Sequence, residues 1–180
     1  LARQSRIRLE AEIVRDAALE ASGLLTKRFG GPGVYPPQPE GIYVLTQVKK
    51  AWPESQGADR YRRGLYTFFW RSSPYPLMPT FDAPDANMAC TRRSRSNTPL
   101  QALTLANDRS FVELAQGLAA RILEEAPAYD EGRVRFGFRT ALSRDPSADE
   151  LRTLLDFLDQ QKKEFAASES NAKAAAPTPL

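Results

Sequence analysis

The side chains best suited to chemistry lie in the middle of the chain, between a proline-rich stretch and the start of a helix. Asp82 is a carboxylate in the segment 80–84, which ends in a proline that restricts the backbone. Downstream, the stretch 91–96 contains Arg92 and Arg93, whose guanidinium groups match the oxygens of phosphate, sulfate and carboxylate. A rigid acidic loop beside a basic one could form a catalytic site. Asp82 is therefore the candidate catalytic residue, and Arg92 and Arg93 are candidates for binding an anion or substrate.

The helix that begins directly after this stretch could complete an anion pocket. Thr98 is followed by a proline and, at the third helical position, by Gln101, which is the pattern of a capping box. The first N–H groups of such a helix attract anions, so Asn97, Thr98 and Gln101 join the candidate binding residues. The alternative is a solvated run in which the arginines pair with acids such as Asp82 and Asp85.

A metal site is not predicted. Cation binding needs several oxygen ligands close together, and only Asp82, Asp85 and Asn87 cluster locally. An Asx-turn or an Asp–Arg structural pair is the alternative for these acids.

The absence of histidine and the single cysteine exclude several kinds of site within this chain. A Ser-His-Asp triad, a Cys-His dyad and a histidine metal site all need histidine, and there is none. Cys90 is alone, so no intrachain disulfide and no haem-attachment motif can form, and we expect no cofactor here. Neighbouring Arg92 and Arg93 could make Cys90 nucleophilic, whereas a buried, inert thiol is the alternative.

The charge distribution and the short apolar stretches argue against a nucleic-acid partner and a membrane span. Lys and Arg number 25 against 22 Asp and Glu, so the net charge of +3 is close to balance. The basic residues are spread among acids rather than concentrated, and we expect no nucleic-acid partner. No stretch approaches the ~20 apolar residues that a membrane span requires, so none is expected in this segment.

Helices must position these residues, and the middle of the chain must be irregular. The apolar spacing predicts a helix over 5–22 that ends at Gly23. Four prolines and four glycines make 29–41 an extended surface loop, and four more prolines make 72–85 irregular. Residues 42–52 could be helix or strand. The aromatic-rich segment 59–70 favours a helix, with a strand as the alternative.

The second half of the chain is predicted to be helical. Its helices run from Thr98 to about Ala106, from 107–108 to Ile122, over 131–142, and onward from a second capping box at Ser147. The fold class is mainly α, with a long Pro/Gly-rich irregular middle section and room for a few short strands. We assign 1–165 to a partial helical domain and 166–180 to an Ala/Ser/Pro-rich linker or tail. The chain begins without methionine, which indicates a fragment.

Several short motifs occur in a fixed order along the chain. They are residues 8–12 (RLEAE), 15–17 (RDA), 22–25 (SGLL), 30–32 (GGP), 59–63 (DRYRR), 80–84 (TFDAP), 97–103 (NTPLQAL) and 107–108 (ND). Taken together, they resemble the C-terminal domain of unknown function in planctomycete cytochrome-c-associated, multidomain secreted proteins. The resemblance covers roughly residues 3–160.

The resemblance implies an extracytoplasmic parent protein, periplasmic or at the cell surface, with haem c bound elsewhere in it. The first functional hypothesis is a helical module of this secreted, haem-protein-linked protein. It would shape a pocket for an oxidoreductase or glycan-processing activity, with the other domains of the parent chain as partners. The alternative is a non-catalytic module that binds or scaffolds acidic or sulfated surface polysaccharide. Whether the chain is an enzyme is not decided by its sequence.

Overall fold

The computed structural model describes residues 7–44 and 51–176. Within these residues the protein is mainly α-helical, which confirms the predicted fold class, and it contains no β-strand. The few short strands that the prediction allowed do not form there, and only two isolated backbone bridges, Thr26–Arg62 and Val34–Thr67, are present. The helices are α1 (Ala11–Ser22), α2 (Leu77–Thr80), α3 (Pro99–Asn107), α4 (Arg109–Glu125), α5 (Asp130–Leu142), α6 (Ala148–Ala166) and α7 (Glu169–Ala175).

The chain divides into two compact units. The first takes the chain up to Glu20 together with Leu25–Val112, and the second takes Ala21–Leu24 and the chain from Glu113 onward. Burial of apolar surface stabilises the first unit. Its buried apolar side chains are Ala11, Leu19, Val34, Tyr75, Leu77, Met78, Phe81 and Phe111.

An aromatic cluster extends this core. The ring of Trp52 stacks on that of Tyr75 at 5.7 Å between centroids, and Tyr35 stacks on Phe68 at 4.9 Å. The Tyr75 hydroxyl shares a 2.9 Å hydrogen bond with Ser110 Oγ, and burial raises the pKa of Tyr75 to about 12. The segment 34–38, predicted as a surface loop, is largely buried beside these rings. That prediction is wrong for this stretch because its apolar side chains supply core contacts.

The predicted helix over residues 59–70 is also wrong. This segment forms two short 3₁₀ turns, Gly57–Tyr61 and Gly64–Tyr66. Gly64 N–H donates to Asp16 Oδ1 at 2.6 Å, and a Cβ added at Gly64 would lie 2.7 Å from the carbonyl oxygen of Glu12. The close approach of this backbone to α1 overrides the local spacing of the aromatic residues.

The first helix is shorter than predicted. It begins at Ala11 rather than near residue 5, and residues 7–10 are not helical. Its end is confirmed, since Gly23 adopts φ +78°, the left-handed conformation of a helix C-cap. Most of the ambiguous segment 42–52 lies outside the described residues, at 45–50.

Both predicted capping boxes are confirmed. Thr98 Oγ1 accepts from Gln101 N–H at 3.3 Å, and Gln101 Oε1 accepts from Thr98 N–H at 3.3 Å. At α6, Ser147 Oγ accepts from Glu150 N–H at 3.2 Å, and Glu150 Oε2 accepts from Ser147 N–H at 2.9 Å. Each cap satisfies backbone groups that a helix start leaves unpaired, which fixes where α3 and α6 begin.

The second unit is built from packed helices with few buried side chains. A Cβ added at Gly137 of α5 would lie 2.7 Å from Ile122 Cδ1, so this glycine permits close packing on α4. The stretch predicted as a linker or tail carries α7, and Gln116 Nε2 donates to the carbonyl of Ala176 at 3.2 Å. None of the helices described combines the length and hydropathy needed to cross a membrane.

Candidate functional site

Asp82 anchors the segment that leads into α3. Its Oδ2 accepts from Ser96 N–H at 2.6 Å and from the Ser96 hydroxyl at 2.8 Å. Gln101, 3% exposed, donates from Nε2 to Asp82 Oδ2 at 3.3 Å and to the carbonyl of Thr80 at 3.0 Å. Asp82 itself has φ 62°, a conformation that aspartate tolerates better than most side chains. The structure thus joins two predicted site residues, Asp82 and Gln101, both directly and through Ser96.

These hydrogen bonds set the protonation state of Asp82. The backbone N–H and then the hydroxyl of Ser96 hold the pKa of Asp82 below its ordinary value of 3.8, against the opposing effect of desolvation. The positive charge of Arg8 acts in the same direction as Ser96. A general acid or base that works near neutrality needs a pKa near the working pH. Asp82 is therefore ionised at neutral pH, and its lone pairs are used for anchoring.

Arg93 makes ion pairs with acids at the start of α1. Its two terminal nitrogens donate to the two carboxylate oxygens of Glu12 at 2.7 and 3.2 Å, and Nη1 also donates to Glu10 at 3.2 Å. The hydrogen bond that Arg93 donates to Glu12 raises the pKa of Arg93. Desolvation acts to raise the pKa of Glu12, but its hydrogen bonds, led by that from Arg93, hold it below the ordinary value. Arginines of this run do pair with acids, as the alternative held, but Arg93 contacts Glu10 and Glu12 rather than Asp82 or Asp85.

Asp85, Asn87 and Cys90 make local contacts apart from the hydrogen bonds of Asp82 and Arg93. Asp85 accepts from the N–H of Asn87 at 3.0 Å and from its Nδ2 at 3.1 Å, the geometry of a local Asx-turn. Cys90 is exposed, with Sγ 3.4 Å from the carbonyl oxygen of Arg92. A buried thiol is therefore the wrong expectation for Cys90. In the described ranges, no group of three or more Cys, Asp or Glu side chains is placed to hold a metal ion.

Two concave surfaces lie around these residues. A cleft of about 240 Å³ is lined by Asp82, Gln101, Arg8 and Arg95 together with apolar side chains. A more polar surface of about 800 Å³ is lined by Glu10 and residues 90–95. Arg92 is exposed on the second surface and has no ion-pair partner among the described residues. Asn97 and Thr98 are also exposed, and the Thr98 hydroxyl is engaged in its cap.

This geometry can hold an anion more readily than it can move a proton. Arg92 offers a guanidinium group to solvent, while the Asp82 carboxylate and the Arg93 guanidinium group are already engaged.

The family model of PSD1, a protein of unknown function (DUF1553), matches residues 1–158. The chain belongs to the PSD1 family. This confirms the resemblance at the level of a domain of unknown function.

Other comparisons add no relative. No curated protein and no solved structure matches the chain.

Arg62, which was not predicted as a functional residue, organises the glycine-rich loop. Arg62 is 0% exposed and donates to the carbonyls of Arg28 at 3.3 Å, Pro32 at 3.1 Å and Gly30. Its guanidinium carbon lies 3.8 Å from the centroid of the Tyr66 ring, and the Tyr66 hydroxyl accepts from Gly30 N–H at 2.8 Å. A loop with many glycines and prolines leaves backbone carbonyls without the N–H partners that a helix or sheet would supply. That composition could have indicated that a buried arginine donates to them.

Proposed function

We propose that this chain is a helical module of a secreted, haem-protein-linked multidomain protein. In that protein it shapes a pocket for an oxidoreductase or glycan-processing activity carried by other domains of the parent. The ordered motifs shared with planctomycete cytochrome-c-associated proteins support the extracytoplasmic location and the link to haem. Membership of the PSD1 family is consistent with that assignment.

One observation carries the shaping role. The carboxylate of Asp82 is engaged by Ser96 and Gln101, and the guanidinium group of Arg93 is engaged by Glu12. Side chains that are satisfied in this way stabilise loops and resist displacement by a substrate. They favour a supporting role around a pocket over participation in a reaction.

The haem of the proposed parent would be bound outside this chain. Covalent c-type attachment uses two cysteines followed by histidine, and this chain has one cysteine and no histidine. The residues present do not fit that group, so no step of a haem reaction is assigned to them.

Expression of the parent protein in its native host, with a tag on this module, tests the assignment. We expect the tagged band in the extracytoplasmic fraction, and we expect the same band to stain for covalent haem. A tagged band that stays with the cytosolic fraction and lacks haem stain would contradict the proposal.

A second function, binding of acidic or sulfated polysaccharide, is favoured by the surface of residues 90–95. Arg92 projects to solvent there, and Arg95 is held only at 3.4 Å by Glu10, with 41% of its side chain exposed. Guanidinium groups bind sulfate and carboxylate through paired hydrogen bonds. This surface could contact successive charged groups of such a polymer without any catalytic step.

Salt-dependent chromatography tests this second function. We expect the whole chain to be retained on immobilised heparin or polygalacturonate at low salt. It should elute as salt rises above about 0.1 M, because at that concentration salt ions screen the attraction between charges more than roughly 10 Å apart. The double variant Arg92→Gln/Arg95→Gln should elute at distinctly lower salt. Arg152→Gln on α6, whose side chain is 71% exposed, is the matched control and should elute with the wild type. Co-elution of all three proteins, or no retention, would rule this function out.

A further inference from the structure

The helix α6 has a strongly apolar stripe that the described residues of its own unit leave partly exposed. It is 19 residues long, and none of its residues is buried. Phe157 is 59% exposed and Leu154 is 36% exposed, while Leu123 on α4 and Leu142 on α5 are 59% and 54% exposed. Large apolar side chains that are grouped in this way, rather than scattered, mark an interaction surface.

These side chains line one groove within the second unit. The groove has a volume of about 640 Å³ and is formed by α4, α5 and α6. Ile122, Phe138 and Leu158 lie along it, and Gly137 lets α5 approach Ile122 closely. Its walls are helices with apolar residues at spacings of three and four, which is the surface that an amphipathic helix occupies in helix-in-groove recognition.

The charged residues of the groove indicate the chemistry of the occupant. Asp130 and Lys162 pair with each other at 2.6 Å across its edge. Arg133 lines the groove as well, and its guanidinium group has no ion-pair partner in the described part of the chain. Two cations, Arg133 and Lys162, thus line the groove with one carboxylate, that of Asp130. An incoming acidic group would form an ion pair with Arg133.

We propose that this groove binds an amphipathic α-helix of a protein partner. The apolar stripe of that helix packs against α4, α5 and α6, and one of its carboxylates pairs with Arg133. The proposal is independent of the functions argued above, since it uses only residues of the second unit. A polysaccharide would find few polar groups along these walls. A second copy would present the same arginine and leave Arg133 facing a like charge.

A pair of synthetic peptides tests the proposal with the whole chain. The probe is a fluorescein-labelled helical peptide of 18 residues with leucines at positions i, i+3, i+4 and i+7 and one glutamate within the stripe. The matched peptide carries glutamine instead. By fluorescence anisotropy we expect the glutamate peptide to bind about 10-fold more tightly, the typical effect of one charge-assisted hydrogen bond.

Protein variants assign the effect to the groove. Arg133→Gln should remove the difference between the two peptides, and Phe157→Asp should weaken both at least about 10-fold. Phe29→Asp, at an apolar residue 79% exposed in the first unit, and Arg135→Gln, which removes a cation paired with Glu131, should bind like the wild type. Circular dichroism checks that each variant keeps its helices.

Three results would overturn the proposal. The first is equal affinity of the two peptides for the wild-type chain, and the second is no binding by either. The third is self-association in sedimentation experiments that Phe157→Asp abolishes, since a second copy would then be the occupant.

Discussion

Replacement of Arg62 by alanine is expected to lower the free energy of unfolding of the first unit by about 3 kcal/mol. The guanidinium group donates to three loop carbonyls in part-buried hydrogen bonds, and losing a hydrogen bond to a charged group costs about 1.5–3 kcal/mol. Loss of the stack on Tyr66 adds to this cost. Part of the cost is offset because the variant no longer buries a charge.

Urea unfolding followed by tryptophan fluorescence measures this effect. Both tryptophans, Trp52 and Trp70, belong to the first unit, so the signal reports that unit. Arg62→Lys should lie between wild type and alanine, because an ammonium group keeps the charge but cannot span three carbonyls. Arg152→Ala is the exposed control and should change stability by less than about 1 kcal/mol. A loss below 1 kcal/mol for Arg62→Ala would show that the loop does not depend on this side chain.

Replacement of Asp82 by alanine is expected to cost about 3 kcal/mol in the same measurement. The variant loses the acceptor for Ser96 and Gln101, and it places alanine at φ 62°, where a left-handed residue costs roughly 1–2 kcal/mol. Asn should be the mildest substitution, at about 1 kcal/mol, since it tolerates this φ and keeps an acceptor for the Ser96 N–H.

Glycine separates the two contributions at Asp82. It adopts φ 62° without strain but has no carboxylate. We expect Asp82→Gly to fall between asparagine and alanine. A glycine variant as stable as the wild type would mean that only the backbone conformation matters and that the hydrogen bonds to Ser96 contribute nothing measurable.

Local signals were sufficient to predict the caps and the helical class. Thr98 with Gln101, and Ser147 with Glu150, are three residues apart, so each cap depends on chain segments that the sequence places together. Gly23 at the end of α1 is a similar local signal. Such patterns gave correct starts for α3 and α6, and the correct end of α1.

Partners far apart in the chain could not be predicted in the same way. Arg93 and Glu12 are 81 residues apart, and Gly64 and Asp16 are 48 apart. Which acid meets an arginine depends on how α1 packs in the folded unit, and no local pattern encodes that. Acid partners for the arginines of 91–96 were thus expected, but that Arg93 would contact Glu10 and Glu12 rather than Asp82 or Asp85 could not be predicted.

We infer that the Asp82 carboxylate is an ionised structural anchor and not an acid or base for catalysis. The most direct test is an NMR pH titration of the Asp82 carboxyl carbon in the whole chain, with the Ser96 amide followed in parallel. Because the folded pKa is depressed, the stabilisation is present above the ordinary value of 3.8 and is lost as pH falls through the lower folded value. We predict a pKa below 3.8, with the Ser96 amide shifting at the same pH. A pKa raised toward neutrality would contradict the account.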